Sequence, residues 1–199
     1  MNGRASYMMN VPNAITVSRI ILTPVVLVLL FMESFEAHLG ALVVFIIAAI
    51  TDYYDGKLAR TLQKGTRLGK FLDPLADKIL VLGTFIAFAV LMPQLVPWWA
   101  VALIAARDAF VTGLRTWHES NGRSLRTMHL AKAKTTVQLV FLIGMLLVLT
   151  LSKMTGVLSE VGNWVLDSEI PWWSMMVVVA FTLITGFVYL FNATDASEN

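Results

Sequence analysis

The sequence contains no cysteine and few charged residues. Without cysteine, a disulfide framework, a thiolate metal site and a thiol nucleophile are all excluded. Only 14% of the 199 residues are charged, whereas 57% are hydrophobic. A soluble domain of this length needs more charge to cover its surface, so the composition indicates an integral membrane protein. The net charge of +2 comes without a basic tail, and nothing indicates a nucleic-acid partner.

Long apolar stretches dominate the chain. A helix needs roughly 20 mostly apolar residues to cross a hydrocarbon layer about 30 Å thick. The sequence predicts an all-α, polytopic membrane protein with six transmembrane helices in a single catalytic domain, residues 1–199. Residues 1–13 are read as a juxtamembrane segment and 193–199 as a polar tail. The first apolar stretch is too long for a signal-peptide core, so we expect it to be retained. The six predicted spans are residues 14–33, 37–62, 71–92, 96–117, 131–152 and 171–192.

The distribution of lysine and arginine predicts the orientation. Fourteen of the fifteen basic residues fall toward one end of the predicted helices, and Lys153 is the exception. Short cytoplasmic loops carry the excess of Lys and Arg in membrane proteins. We therefore expect that side, with both termini, to face the cytoplasm. Tryptophans then mark the opposite interface, as aromatic belts do: Trp98, Trp99, Trp172 and Trp173.

Four aspartates flank the connection between the second and third predicted helices, in the segment TDYYDGKLARTLQKGTRLGKFLDPLADK. On a helix with 100° per residue, the polar and small residues of each helix share one face, within arcs of about 80–100°. The connection is short enough to make the helices antiparallel neighbours. Two carboxylate stripes can therefore face each other across one cavity. The residues are Asp52, Asp55, Gly56 and Ala59, with Arg60 at the edge, and Gly69, Asp73 and Asp77.

Carboxylates at this level of a membrane are costly and repel one another. Hard divalent cations such as Mg²⁺ or Mn²⁺ remove both problems, because they prefer oxygen ligands. Two such ions could grip a pyrophosphate and stabilise charge on attacking and leaving oxygens. Gly56 and Gly69 offer bare backbone to a nucleotide, and Arg60 is placed to meet phosphate.

Each feature also has a purely structural interpretation when it is taken alone. An isolated Asp-x-x-Asp at a helix end is usually a solvated or capping pair. Gly56 and Ala59 could form a helix-packing seam. Asp73 and Pro74 could be an N-cap followed by a first-turn proline. The combined spacing over two helices favours the metal site.

The same run resembles the signature of the CDP-alcohol phosphotransferase family at all eight of its positions, from Asp52 to Asp77. The resemblance implies six transmembrane helices and a homodimer, and the four carboxylates suit two Mg²⁺ or Mn²⁺ ions per active site. It further implies that Asp52, Asp55 and Asp73 bind metal and CDP. Asp77 is implied to activate the acceptor hydroxyl while also contacting metal. The CDP-binding set that follows is Asp52, Asp55, Gly56, Ala59, Arg60, Gly69, Asp73 and Asn13.

Basic residues elsewhere bear on the acceptor alcohol. Arg107 lies inside the fourth predicted span, where an unpaired cation is expensive. Asp108 and Arg115 are seven residues apart and share a helix face, so the two can pair. A cation cluster beside the metal site suits an acceptor with its own phosphate. The alternative is positive-inside anchoring, with side chains that snorkel to the headgroups. The candidates for binding the acceptor phosphate are Arg107, Arg115, Lys132 and Lys134.

The segments PNAITVSRIILTP, ARDAFVTGLRTW and AKAKTTVQ resemble the branch of the family whose acceptor is glycerol 3-phosphate. This implies phosphatidyl transfer from CDP-diacylglycerol to glycerol 3-phosphate in a bacterial cytoplasmic membrane. Asn13 then helps to hold the nucleotide or headgroup, although it also fits a helix N-cap. Inositol phosphate and phosphatidylglycerol, the acceptor in cardiolipin synthesis, are the alternative acceptors. A divalent-cation transporter is disfavoured, because the acids lie near one membrane face rather than at the midplane.

Overall fold

A computed structural model describes the backbone of residues 11–62, 67–120 and 129–195, and the side chains of residues 19–51, 78–114, 116–117 and 133–190. These described residues form α-helices without a strand. The helices are α1 (Val11–Leu30), α2 (Phe35–Leu62), α3 (Arg67–Leu91), α4 (Trp98–Ser120), α5 (His129–Ser152), α6 (Val157–Asp167) and α7 (Ile170–Asp195).

The all-α prediction is confirmed for this part of the chain, and each predicted span overlaps one long helix. Within the described ranges, two helices are long and apolar enough to cross a membrane, Ala133–Ser152 and Ile170–Leu190. Among the described side chains, α1, α2 and α3 contain shorter apolar stretches, at Arg19–Leu30, Phe35–Thr51 and Lys78–Leu91, and each of these stretches begins or ends at the limit of the described side chains. Helix α6 was not predicted, because its 11 residues are too few for a search based on bilayer thickness.

Local sequence signals explain where several helices begin. The Ala37 backbone N–H donates to Ser34 Oγ over 3.2 Å, so Ser34 caps α2, and Glu36 lies in its first turn. Gly156 has a φ of 73°, a left-handed conformation that favours glycine, and its carbonyl accepts the first hydrogen bonds of α6. Ser168 Oγ accepts from the Ile170 N–H at the start of α7.

Buried threonines inside the apolar helices satisfy their own hydroxyl groups. Each donates to the carbonyl one turn earlier, at about 2.8 Å for Thr23 to Arg19, Thr84 to Leu80 and Thr150 to Leu146. An unsatisfied hydroxyl in an apolar environment would cost free energy. These residues therefore remain compatible with helices that lie in lipid.

The chain divides into two compact units. The first unit comprises Met1–Ala87 and Leu142–Trp164, and the second comprises Phe88–Phe141 and Val165–Asn199. The single catalytic domain stays a prediction, because two compact units can belong to one domain. In the first unit α1 packs on α2, where a Cβ on Gly40 would lie 3.3 Å from Leu29 Cδ1. The apolar side chains buried there include Val26, Leu30, Phe45, Phe85, Leu142 and Leu146.

Gly162 fixes α6 against the end of α5. A Cβ at this position would overlap the backbone nitrogen of Ser152 and lie 2.8 Å from Leu151 C. We expect Gly162→Ala to destabilise the protein by about 1–3 kcal/mol, since backbone must shift to admit the methyl group. Thermal unfolding in detergent measures this. Gly144→Ala in α5 is the matched control, because a Cβ there meets nothing within 4 Å, and equal effects of both substitutions would contradict the packing.

Candidate active site

The acidic motif lies on two successive helices. Asp52 and Asp55 belong to the C-terminal part of α2, and Asp73 and Asp77 to the N-terminal part of α3. The backbone is helical at all eight motif positions, so the angular spacing assumed from the sequence applies within each helix. The side chains of residues 52–77 lie outside the described residues. Their convergence around shared ions stays a prediction.

The donor chemistry of this motif fits a divalent cation. Four carboxylates supply only hard oxygen ligands, which Mg²⁺ and Mn²⁺ prefer. Among the residues whose side chains are described, no group of three or more His, Cys, Asp or Glu could hold a metal ion. The four aspartates of the motif are not among those residues, so the motif remains the candidate metal site. Asn13, Gly56, Ala59, Arg60 and Gly69, the other predicted CDP-binding residues, likewise have side-chain positions outside the described set.

A largely buried ionic cluster forms in the second unit, and we call Arg107, Asp108 and Lys134 the basic cluster. Lys134 Nζ on α5 lies 2.6 Å from each carboxylate oxygen of Asp108 on α4. Arg107 Nη1 donates to Asp108 Oδ1 over 3.2 Å. The three side chains are only 9–15% exposed. Two cations and one carboxylate give the cluster a net positive charge, which suits an anionic ligand.

Helix α7 completes the surroundings of Arg107. Arg107 Nη2 donates to Thr185 Oγ1 over 3.2 Å, and Thr185 donates in turn to the Phe181 carbonyl at 2.9 Å. Gly186 leaves room for the guanidinium stem, since a Cβ there would lie 3.1 Å from Arg107 Cγ and Nε. Arg107 Nε is buried and has no acceptor among the described residues. Such a donor is costly unless a ligand accepts from it.

Gln138 lies one turn beyond Lys134 on α5 and is also buried, at 1% exposure. Its Nε2 donates to Thr182 Oγ1 on α7 over 3.4 Å. Side chains on α4, α5 and α7 therefore hold the basic cluster in place. Because these hydrogen bonds connect three helices, the cluster is a fixed part of the second unit.

The structure brings together two of the four predicted acceptor-binding residues. Arg107 and Lys134 share Asp108 as a partner within the protein, and their part in binding the acceptor phosphate stays a prediction. The side chains of Arg115 and Lys132 lie outside the described residues, and the expected Asp108–Arg115 pair is therefore not described. Sequence reasoning missed the link between Asp108 and Lys134. The residues are 26 positions apart on different helices, and spacing along one helix gives no signal of it.

Comparison with known proteins agrees with the motif. The family model for CDP-alcohol phosphatidyltransferase matches residues 9–184, so the chain belongs to this family. The predicted family is thus confirmed. A Bacillus subtilis (strain 168) protein named CDP-diacylglycerol–glycerol-3-phosphate 3-phosphatidyltransferase is 34% identical over 95% of this chain and 97% of its own length. Proteins of the same name from Salmonella choleraesuis and Escherichia coli K12 are 38% and 36% identical over 67% of this chain and 74% of theirs.

Proposed function

We propose that this chain is a membrane-embedded enzyme that transfers a phosphatidyl group from CDP-diacylglycerol to glycerol 3-phosphate, giving phosphatidylglycerophosphate and CMP. The observation that carries the proposal is the similarity to the Bacillus subtilis relative, whose name states this reaction, over 95% of the chain. The basic cluster supports an acceptor with its own phosphate, because a neutral amino alcohol would not need two buried cations.

The acidic motif is the proposed site of the activated lipid. Asp52, Asp55, Asp73 and Asp77 would hold two Mg²⁺ or Mn²⁺ ions, which when bound supply positive charge to the pyrophosphate. Gly56, Ala59 and Gly69 allow the nucleotide to approach the helices closely. Arg60 and Asn13 contribute polar contacts to CDP.

The chemical step needs one base and one oriented acceptor. Asp77 accepts the proton of a glycerol 3-phosphate hydroxyl as the hydroxyl oxygen attacks the lipid-side phosphorus. A new P–O bond forms, the bond to the CMP oxygen breaks, and CMP leaves with that electron pair. Arg107 and Lys134, with Arg115 and Lys132, hold the acceptor phosphate.

We place the chain in the bacterial cytoplasmic membrane with six spans and with the active site and both termini facing the cytoplasm. Large apolar side chains are exposed along α5 and α7, for example Val140 at 65% and Val177 at 63%. Exposed apolar surface on this scale indicates contact with lipid or with another chain. A homodimer, which the family resemblance implies, would cover part of it.

An acceptor panel tests the proposed reaction. Purified protein in mixed micelles receives labelled CDP-diacylglycerol and Mg²⁺ or Mn²⁺, with glycerol 3-phosphate, inositol phosphate or phosphatidylglycerol. We expect CMP release and labelled phosphatidylglycerophosphate with glycerol 3-phosphate alone. Turnover with another acceptor would move the chain to a different activity within the family. Metal flux in liposomes without any CDP-lipid dependence would instead favour a cation transporter.

Gly186→Ala tests the role of Arg107 without removing a charge. The added methyl group must displace the Arg107 stem by a few tenths of an ångström. We expect the KM for glycerol 3-phosphate to rise roughly 3- to 10-fold, since about 1 kcal/mol of a charged hydrogen bond is lost, with the KM for CDP-diacylglycerol unchanged. Gly113→Ala on α4, where a Cβ meets nothing within 4 Å, is the matched control. An unchanged KM for glycerol 3-phosphate would exclude Arg107 from acceptor binding.

A further inference from the structure

Helix α6 presents three different faces. Gly162 is buried, whereas four apolar side chains are exposed: Val157 at 72%, Leu158 at 48%, Val161 at 46% and Trp164 at 64%. These four, which we call the apolar stripe, fall within an arc of about 120° on a helix of 100° per residue. Glu160, Asn163 and Asp167 are exposed beside the stripe and form a separate polar face. A large apolar surface of this kind indicates a binding partner.

Contacts with the end of α5 prevent the stripe from turning inward. Gly162 lies against the backbone of Leu151 and Ser152, and any side chain at that position would collide with it. Ser159 Oγ also donates to the Ser152 carbonyl over 3.0 Å. The rotation of α6 about its axis is therefore set by the last turn of α5. The apolar stripe stays on the outside of the first unit.

The position of α6 in the chain limits what the stripe can contact. It follows α5, whose Ala133–Ser152 stretch is long and apolar enough to cross a membrane, and it is pinned to the last residue of that stretch. With 11 residues and a rise of 1.5 Å each, α6 is only about 16 Å long and cannot cross the bilayer itself. A helix at this place lies at the membrane surface, where tryptophan is enriched.

We propose that α6 is an interfacial helix that inserts the apolar stripe into the lipid at the membrane face where α5 ends. Its ionisable residues are Glu160 and Asp167, with no Lys or Arg. Helices held by anionic lipids carry cations on the polar face, so α6 is held by apolar insertion instead. The inference rests on the proposed crossing of the membrane by α5, and not on the reaction that the enzyme catalyses.

Site-directed spin labelling tests the proposal, and the absence of native cysteine makes each introduced label unique. We use three single variants of the full chain in phosphatidylcholine vesicles. Val161→Cys labels the apolar stripe, Asn163→Cys labels the polar face of the same helix, and Leu147→Cys labels an exposed position within α5. Power saturation then compares collisions with oxygen, which concentrates in lipid, and with a water-soluble nickel chelate.

The expected result is a several-fold higher ratio of oxygen to nickel collisions at Val161 than at Asn163. The label at Leu147 should show the deepest position of the three. Adding anionic lipid should leave the ratio at Val161 unchanged. Equal nickel accessibility at Val161 and Asn163, with Leu147 in the hydrocarbon, would overturn the interfacial helix while leaving the membrane span intact.

Two other outcomes would also overturn it. If a second copy covers the apolar stripe, the Val161 label is shielded from both reagents and its spectrum broadens by spin–spin coupling when every chain is labelled. If Leu147 is itself accessible to nickel, α5 does not cross the membrane, and the proposed topology fails together with the inference. Activity measured on the same vesicles separates both results from a failure of the proposed reaction.

Discussion

Replacing Asp77 with asparagine is expected to lower the rate of CMP release by a factor on the order of 10² to 10⁴. Asparagine has nearly the same size and shape as aspartate, but its amide cannot accept the proton of the glycerol 3-phosphate hydroxyl. Purified enzyme with saturating CDP-diacylglycerol, glycerol 3-phosphate and divalent metal measures the effect.

Two companion variants give this result its meaning. Asp167→Asn changes an exposed carboxylate on α6 and should leave turnover unchanged. Asp52→Asn, at the opposite end of the motif, should weaken metal and CDP binding, so that higher metal concentrations restore part of its activity. Such recovery should be smaller for Asp77→Asn, because added metal does not replace the base. Full activity of Asp77→Asn would remove the base assignment.

The second large effect is expected at Asp108, which holds two buried cations. Removing one partner of a buried ion pair costs about 3–5 kcal/mol, and we expect Asp108→Ala to lower the free energy of unfolding by about 3 kcal/mol. The KM for glycerol 3-phosphate should also rise, because Arg107 and Lys134 lose the carboxylate that positions them. Thermal unfolding in detergent and steady-state kinetics measure the two effects.

A double variant separates stability from function at this site. Lys134→Met in the Asp108→Ala background removes the cation that lost its carboxylate, so part of the lost stability should return. Acceptor affinity should not return, since Lys134 belongs to the proposed phosphate site. If the double variant recovers stability and also has a wild-type KM for glycerol 3-phosphate, the basic cluster is structural only and does not belong to the acceptor site.

The long helices were predicted well from the sequence, because hydropathy is read over a whole span and not from a few residues. Helix α2 runs through the polar segment that contains Asp52 and Asp55 to Leu62, as expected from the uninterrupted pattern. Helix α6 was missed, since an amphipathic helix of 11 residues gives no apolar window of bilayer length. Gly156 starts this helix, and Gly162 permits its close contact with Ser152.

Candidate site residues can be proposed from the sequence where they share one stretch of chain, and less so where their contacts depend on helix packing. The acidic motif has all its members within residues 52–77, so fixed spacing identifies it. The cost of an unpaired cation in a predicted span singled out Arg107 from the sequence, and its part in acceptor binding stays a prediction. Its partner Thr185 is set by the packing of α4 on α7, and no local pattern predicts the space that Gly186 provides.

We propose that α2 and α3 supply one shared site for divalent ions and CDP. Titration with Mn²⁺ in the presence of CDP-diacylglycerol tests this proposal, because binding removes the electron paramagnetic resonance signal of the aqueous ion. We predict two ions per wild-type chain, and much weaker binding when a carboxylate is removed from either helix, by Asp52→Asn or by Asp73→Asn. Undiminished binding in Asp73→Asn, with binding lost in Asp52→Asn, would contradict a site shared by the two helices.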